Sequence, residues 1–346
     1  MKKKDVLKVP AWLDAMSGKE QEVILSSGIK IIRNIEGYPM AHHASLEQLD
    51  TIKNKISSVV DKIEPVGILN VWNFNKLTES ARGVLYEKHA CPFLNDRMDG
   101  MLLYATEDFS MRVLLNYKEH LQLGNIRSGL VLDELYKELS SFEGKLSEQL
   151  PFAFSKRYGY LSSNVTKTGT GLEATVVLHL PALVGMEKIS KLAEAIESKN
   201  MVLERLYKDD TSFALGNLYL LRNVPRITDS EQDILDTVTN VAEELMGREL
   251  RMRKVLYSRS RVVVENYVWR AVGIMKHTRT IQAAEMLALF SYIGLGIDLG
   301  LLEKIDWLTL KKLMVQARNC HLKMIYTGKD IEQVRATLLR AAFKEV

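Results

Sequence analysis

From Leu172 the chain alternates without interruption: Leu172, Ala174, Val176, Leu178 and Leu180 share one face, and Glu173, Thr175, Val177 and His179 share the other. A period of two is the signature of an extended strand, so this segment must lie in a sheet with one face against a core. Further strands are predicted over Val66–Phe74, Met101–Ala105, Ser110–Leu115, Met201–Tyr207 and Leu215–Leu221. Thr106-Glu107-Asp108 predicts a hairpin turn between the second and third of these. Ser45-Leu46-Glu47-Gln48 reads as a capping box opening a helix to about Ile63, and Lys188–Ser198 reads as another helix. After Arg226 the texture changes. Thr228-Asp229-Ser230-Glu231 predicts a second capping box, and a long helical pattern follows through Met246. Helices are then expected over Ser260–Met275, Thr280–Tyr292, Leu308–Arg318 and Ile331–Phe343. The reading is an α+β domain over residues 1–250 and an all-helical C-terminal domain over 251–346, packed closely because no Pro/Gly-rich linker separates them.

With 346 residues and 47% hydrophobic content the chain has enough apolar material for a full core. A net charge of +4, with no dense basic stripe, argues against nucleic acid as a partner. Asp5 and Lys8 interrupt any apolar run after Met1-Lys2-Lys3-Lys4, and no apolar stretch reaches membrane-spanning length. Cys91 and Cys320 have no metal-type spacing. Free thiols in a reducing cytoplasm, with no metal site and no membrane, are therefore expected.

Several motifs carry chemistry. The stretch Gly159-Tyr160-Leu161-Ser162-Ser163-Asn164-Val165-Thr166-Lys167-Thr168-Gly169-Thr170-Gly171-Leu172-Glu173 resembles the GYLTSCPTNVGTGLRAS loop and strand of guanidino kinases, above all the bacterial protein-arginine kinases. Leu25-Ser26-Ser27-Gly28-Ile29-Lys30 through Arg33-Asn34 resembles LSSRIRLARN; Leu85-Tyr86-Glu87-Lys88-His89 resembles LVEKHL; Leu115-Asn116-Tyr117-Lys118-Glu119-His120-Leu121-Gln122 is similar to LNEEDHIR. Arg205 through Asn217 is similar to RGIYGEGSEAVGN, and Leu295-Gly296-Ile297-Asp298-Leu299-Gly300 matches LGIDLG, which animal creatine and arginine kinases lack. A tight helix-connecting turn is expected at this last motif.

The resemblance implies a phosphagen-kinase catalytic fold, an antiparallel sheet flanked by helices, followed by an all-helical domain. It places Ser26, Ser27, Gly28, Lys30, His89, Gln122, Glu173, Ala174, Thr175, Arg205 and Asp210 around the nucleotide. Transfer of a phosphoryl group to a guanidinium needs cations on the phosphates and a carboxylate on the guanidinium nitrogen. Here the family's carboxylate is Lys118, its cysteine is Asn164, and its arginines have become Gly28, Lys30, Gln122 and Glu173. Arg205 remains, and Lys30 meets a phosphate only as a point charge. Glu173 reverses the charge: at about 4 Å and an effective dielectric near 20, repulsion of a phosphate is on the order of 4 kcal/mol unless a neighbouring cation takes up the carboxylate.

Each position also has a plainer reading. Lys30 fits a strand residue pointing to water, His89 a structural histidine, and Asp209-Asp210 solvated charge in place of a metal or a basic partner. Glu119 is a candidate surrogate base or an ordinary structural residue. The family's RDxxRA phosphoarginine pocket corresponds to Ile331-Glu332-Gln333-Val334-Arg335-Ala336, where Glu332 and Arg335 are the remnant and a plain amphipathic helix is the alternative. Ala283, Leu287, Phe290 and Leu295 fit a homodimer interface or an internal core equally. The leading expectation is a protein-arginine-kinase-like pseudokinase that binds a partner, such as a second copy or a zinc-binding activator-type protein, and needs no cofactor. The alternatives are an active kinase using Glu119, Lys30 and Arg205 with Mg-ATP, or a nucleotide-binding switch without transfer.

Overall fold

The structure is a computed structural model and describes residues 8–13, 23–63, 69–92, 98–207 and 215–346, the side chain of Thr166 excepted. The strands are β1 (Ile24–Arg33), β2 (Asn70–Asn73), β3 (Leu102–Ala105), β4 (Met111–Tyr117), β5 (Glu119–Ser128), β6 (Phe154–Ser155), β7 (Gly159–Tyr160), β8 (Leu172–His179), β9 (Met201–Arg205) and β10 (Leu218–Asn223). The α-helices are α1 (Leu46–Val60), α2 (Glu79–Glu87), α3 (Leu132–Ser147), α4 (Pro181–Gly185), α5 (Ile189–Glu197), α6 (Glu231–His277), α7 (Ala283–Asp298), α8 (Trp307–Gln316), α9 (Asn319–Ile325) and α10 (Ile331–Ala342). This is the expected α+β architecture: an eight-stranded antiparallel sheet, ordered β2-β3-β4-β5-β1-β8-β10-β9, flanked by helices and followed by a helical C-terminal region.

Local chemistry accounts for the turns. Ser45 and Gln48 form the expected capping box on α1. In the β3–β4 turn the Asp108 carboxylate accepts from Thr106 Oγ1 at 2.7 Å and from the Ser110 amide at 3.0 Å. The long helix α6 is capped two residues later than expected, by Ser230, because Asp233 reaches back to the Ser230 amide. The strand expected from Val66 is shorter: it begins at Asn70, residues 64–68 lie outside the described residues, and Phe74 opens a 3-10 turn. The helix expected over Leu308–Arg318 is α8, which ends two residues earlier at Gln316, because Arg318 is the N-cap of a further short helix, α9.

Both sheet faces are covered. On one face Leu172, Ala174, Val176 and Leu178 pack with Ile52 and Ile56 of α1, Leu135 and Leu139 of α3 and Val238 and Leu245 of α6. On the other, Leu25, Val177 and Leu218 pack with Val268 and Val272 of α6, Leu287 and Phe290 of α7, and Leu339 of α10. Each fully buried aliphatic side chain contributes roughly 2 kcal/mol. The single helix α6 runs through residue 250 and serves both cores; its one non-helical residue is Ser260 (φ −137°, ψ 40°). Leu287, Phe290 and Leu295 are thus internal core, not an exposed interface.

The Leu295–Gly300 segment is mostly helical, with the turn confined to its end at Gly300 (φ 70°). Gly296 is needed for packing, since a Cβ there would stand 2.6 Å from Val268. Asp298 instead joins a buried polar junction. It accepts from Trp307 Nε1 at 2.6 Å and pairs with Arg253. Arg253 Nε donates to Glu249 at 2.9 Å and Arg253 Nη2 donates to the His179 carbonyl at 3.1 Å. Glu249 also accepts the amides of Ala182 and Leu183, each at 2.9 Å. The end of β8, α4, α6, α7 and α8 are fastened together at this point.

Candidate functional site

The β4–β5 turn at Tyr117–Glu119 places Asn116 (φ 56°) and Lys118 (φ 57°) in the left-handed region, which turns Lys118 outward and Glu119 inward. Glu119 is 3% exposed and accepts from Ser162 Oγ at 2.7 Å, Ser163 Oγ at 2.6 Å, the Ser163 amide at 3.0 Å and Asn34 Nδ2. Asn34 also donates to the Leu161 carbonyl at 3.0 Å and accepts the His120 amide at 2.9 Å. Arg33 donates to Glu143 at 2.8 Å and to the carbonyls of Ile32 and Thr170 at 2.7 and 2.9 Å, and its guanidinium lies 3.4 Å from the Tyr160 ring centroid. Gly171 (φ 67°) permits this contact, because a Cβ would come within 2.7 Å of Arg33 Nη1 and the Ile32 carbonyl. Glu119 therefore holds the loop, with its oxygens committed to four donor groups. Lys118, at the family's carboxylate position, is exposed beside a hollow that His42, Asp99 and Asn116 also line. Asn164 sits exposed on the same loop.

A cavity of about 360 Å³ opens on the sheet face opposite the first core. Gly28, Lys30, His89, Gln122, Glu173 and Thr175 all reach its wall, so strand register brings together positions spread from β1 to β8. Ser26, Ser27, Ala174 and Arg205 lie outside that wall. Ser27 Oγ accepts the Val131 amide at 3.0 Å at the start of α3, and Ala174 is in the first core. Arg205 stands opposite Tyr219, which stands opposite Leu178, so the register turns it to the first-core face, where it is exposed at the end of β9. Asp209 and Asp210 lie outside the described residues.

The opposite charges on the cavity wall satisfy each other. Glu173 pairs with Lys30 and, at 3.4 Å, with Lys167. Burial alone would raise the Glu173 carboxyl, but Lys30, Lys167 and Arg222 outweigh it and hold the group at about 2. Burial pulls the Lys30 ammonium below its ordinary range, partly offset by Glu173. A carboxyl depressed in the fold stabilises it above its ordinary value of 4.5 and loses that contribution as pH falls toward about 2. Wild type and Glu173→Gln should thus differ in unfolding free energy at pH 6 by up to about 3 kcal/mol, and the gap should close between pH 4.5 and 2. Urea titrations across that window measure it; a gap constant with pH would show that the carboxylate is not held by these cations.

Two cations near the cavity were not identified from the sequence. Arg112 lines the wall, donates to the His89 carbonyl and is lowered to about 10 by burial. Arg318 lies over the rings of Tyr207 and Tyr86, at 4.7 and 5.7 Å. His89 stacks on Trp12 at 4.7 Å and falls to about 3 through burial and then Arg318 and Arg112, so it is neutral at pH 7. The alternation of β4 gives the facing of Arg112, but its proximity to His89 depends on the long connection from α2. In the C-terminal region Arg335 is fully buried, donating to the carbonyls of Ala317 and Ile281 at 2.7 and 2.5 Å and to Asn319, so its fork has no face left for a phosphate. Glu332 is half-buried, and its amide donates to Asp330. Among the described residues no cluster of His, Cys, Asp or Glu has metal-binding geometry, and no helix is long and apolar enough to cross a membrane.

Comparison with known proteins places this geometry. Residues 51–252 match the ATP:guanido phosphotransferase C-terminal catalytic domain, and residues 261–346 match the protein-arginine kinase McsB C-terminal domain. The chain is 31% identical to the protein-arginine kinase of Desulforamulus reducens, covering 95% of this chain and 93% of that one. It is 30% identical to the enzyme of Bacillus pumilus, covering 96% and 91%. Among solved structures, lombricine kinase aligns with a TM-score of 0.59 at 16% identity over 70% of this chain and 71% of that one. The duplicated taurocyamine kinase of Schistosoma mansoni aligns with a TM-score of 0.60 at 21% identity over 69% of this chain, which spans 35% of that longer one. With the phosphagen-kinase fold, the matched domains and relatives aligned over nearly its whole length, this chain belongs to the protein-arginine kinase family of ATP:guanido phosphotransferases.

Proposed function

We propose that this chain is a non-catalytic member of its family and works by binding a protein partner. One observation carries the reading: family-motif residues that build the scaffold are present, while positions that face the reacting groups are replaced. Arg33, Asn34, His120, Gly159 and Gly171 fasten the loop. Lys118 stands where a carboxylate would orient the guanidinium, and Lys30 is spent on Glu173. Losing one transition-state contact costs on the order of 10²–10³ in rate, and an arginine finger more. Such losses do not simply add, but replacement of the carboxylate together with several cations leaves little turnover.

In this reading the protein needs no cofactor and acts in a reducing cytoplasm, where Cys91 and Cys320 stay thiols. A second copy or a zinc-binding activator-type protein would dock on exposed apolar surface, for which α6 offers Val262 (78% exposed), Val263, Tyr267 and Trp269. A second reading, nucleotide binding without transfer, draws on Arg112 in the cavity wall beside Tyr86 and Tyr207. The deciding experiment incubates the protein with γ-labelled ATP, magnesium and an arginine-rich protein, with an active relative as control, and scores acid-labile phosphate. No label above the heat-killed background is expected. Label in the wild type would overturn the non-catalytic reading, and micromolar calorimetric binding of Mg-ATP without label would establish the second one.

A further inference from the structure

On the first-core side of the sheet, away from the cavity, α5 and α6 enclose a groove of about 490 Å³. Its floor is aliphatic: Leu183 is fully buried, and Leu192 and Met252 are partly buried against the first core. Its rim is cationic. Lys188 and Lys191 stand along one helix and Arg248 and Arg251 along the other, each pair at a three-residue spacing that puts both members on one helical face. Glu244 partly neutralises Arg248, at 2.5 Å, and is shared with Lys199 at 3.1 Å. Lys188, Lys191 and Arg251 are exposed and make no ion pair among the described residues.

The placement of two of these cations is adverse to the fold. Lys188 is the N-cap of α5 and Lys191 lies in its first turn, which carries no acidic residue. The backbone amides there already present positive partial charge, so a carboxylate would stabilise that end and an ammonium destabilises it. Cations crowded on one rim also repel one another. An acidic ligand would relieve both costs, and the aliphatic floor favours one that also carries an apolar side chain. We propose that this groove binds an acidic peptide segment of a partner protein, with an aliphatic side chain seated on Leu183, Leu192 and Met252 and carboxylates on the four cations. The site is separate from the cavity and does not depend on whether phosphoryl transfer survives.

The test uses the full chain and a fluorescein-labelled octapeptide, Glu-Glu-Leu-Glu-Glu-Leu-Glu-Glu, read by fluorescence anisotropy at about 50 mM salt, where exposed charges are only partly screened. Saturable binding is expected, weakened at least ~tenfold in the Lys191→Glu/Arg251→Glu variant by like-charge repulsion. The Met252→Ser variant, and a peptide with serine in place of leucine, should each bind more weakly. Lys191→Glu should leave the thermal midpoint unchanged or raised, so that lost binding is not lost folding. No saturable binding, equal binding by the charge-reversed variant, or polyphosphate or the serine peptide binding as tightly as the leucine peptide, would each overturn the proposal.

Discussion

Replacing Arg253 by methionine is expected to destabilise the protein by about 3–5 kcal/mol, well beyond the cost of an ordinary substitution. Arg253 is 3% exposed and faces two buried carboxylates, Glu249 and Asp298, together with the His179 carbonyl. Methionine fills much of the volume but leaves both carboxylates without their cation, and an uncompensated buried charge costs far more than the net worth of the pair. Lysine should recover only part, because one ammonium cannot address Glu249, Asp298 and a carbonyl in the arginine's fork geometry. Urea unfolding of the wild type and both variants measures the ordering. A loss below about 1 kcal/mol for Arg253→Met would place it among ordinary substitutions and remove the junction as the fastening between the two cores.

Glu119→Ala should cost on the order of 3 kcal/mol, because hydrogen bonds to a charged group contribute about 1.5–3 kcal/mol each and several are lost together. The loss should be local as well as global. Ser162, Ser163 and Asn34 all donate to this carboxylate, so without it the segment around Ser163 opens. Amide exchange at Ser163 should rise by about a hundredfold, as expected when a local opening becomes cheaper by roughly 3 kcal/mol. Glu119→Gln should fall between, since its amide group turns a donor toward one of those donors. A base free to serve a substrate would behave otherwise: its removal would leave stability within about 0.5 kcal/mol and Ser163 exchange unaltered.

Much of the architecture was legible because it rests on local rules. The alternation from Leu172 gave β8 its two faces, Ser45 and Gln48 announced the start of α1, and the Thr106–Asp108 turn announced the β3–β4 hairpin. Where the reading slipped, a second local option won, as when Asp233 rather than Glu231 paired with the cap of α6. The replaced family positions were equally legible, since Lys118, Asn164 and Glu173 are visible in the chain itself.

What each charge does was decided only in three dimensions. Glu173 read as a phosphate-repelling group, yet β1–β8 register sets it directly opposite Lys30, which satisfies it. Arg205 read as the surviving phosphate contact, yet the β9–β10 register places it on the first-core face of the sheet, exposed at the strand end and turned away from the cavity. Arg335 read as half of a phosphoarginine fork, yet it is fully buried and each of its three guanidinium nitrogens donates to a surrounding segment, at Ala317, Ile281 and Asn319. The physical reason is common to all three. Residue type and spacing fix a side chain's chemistry, whereas strand register and segments distant in sequence decide which face it joins and which partners it meets, and where the charge is buried, as at Arg335, those partners are decisive.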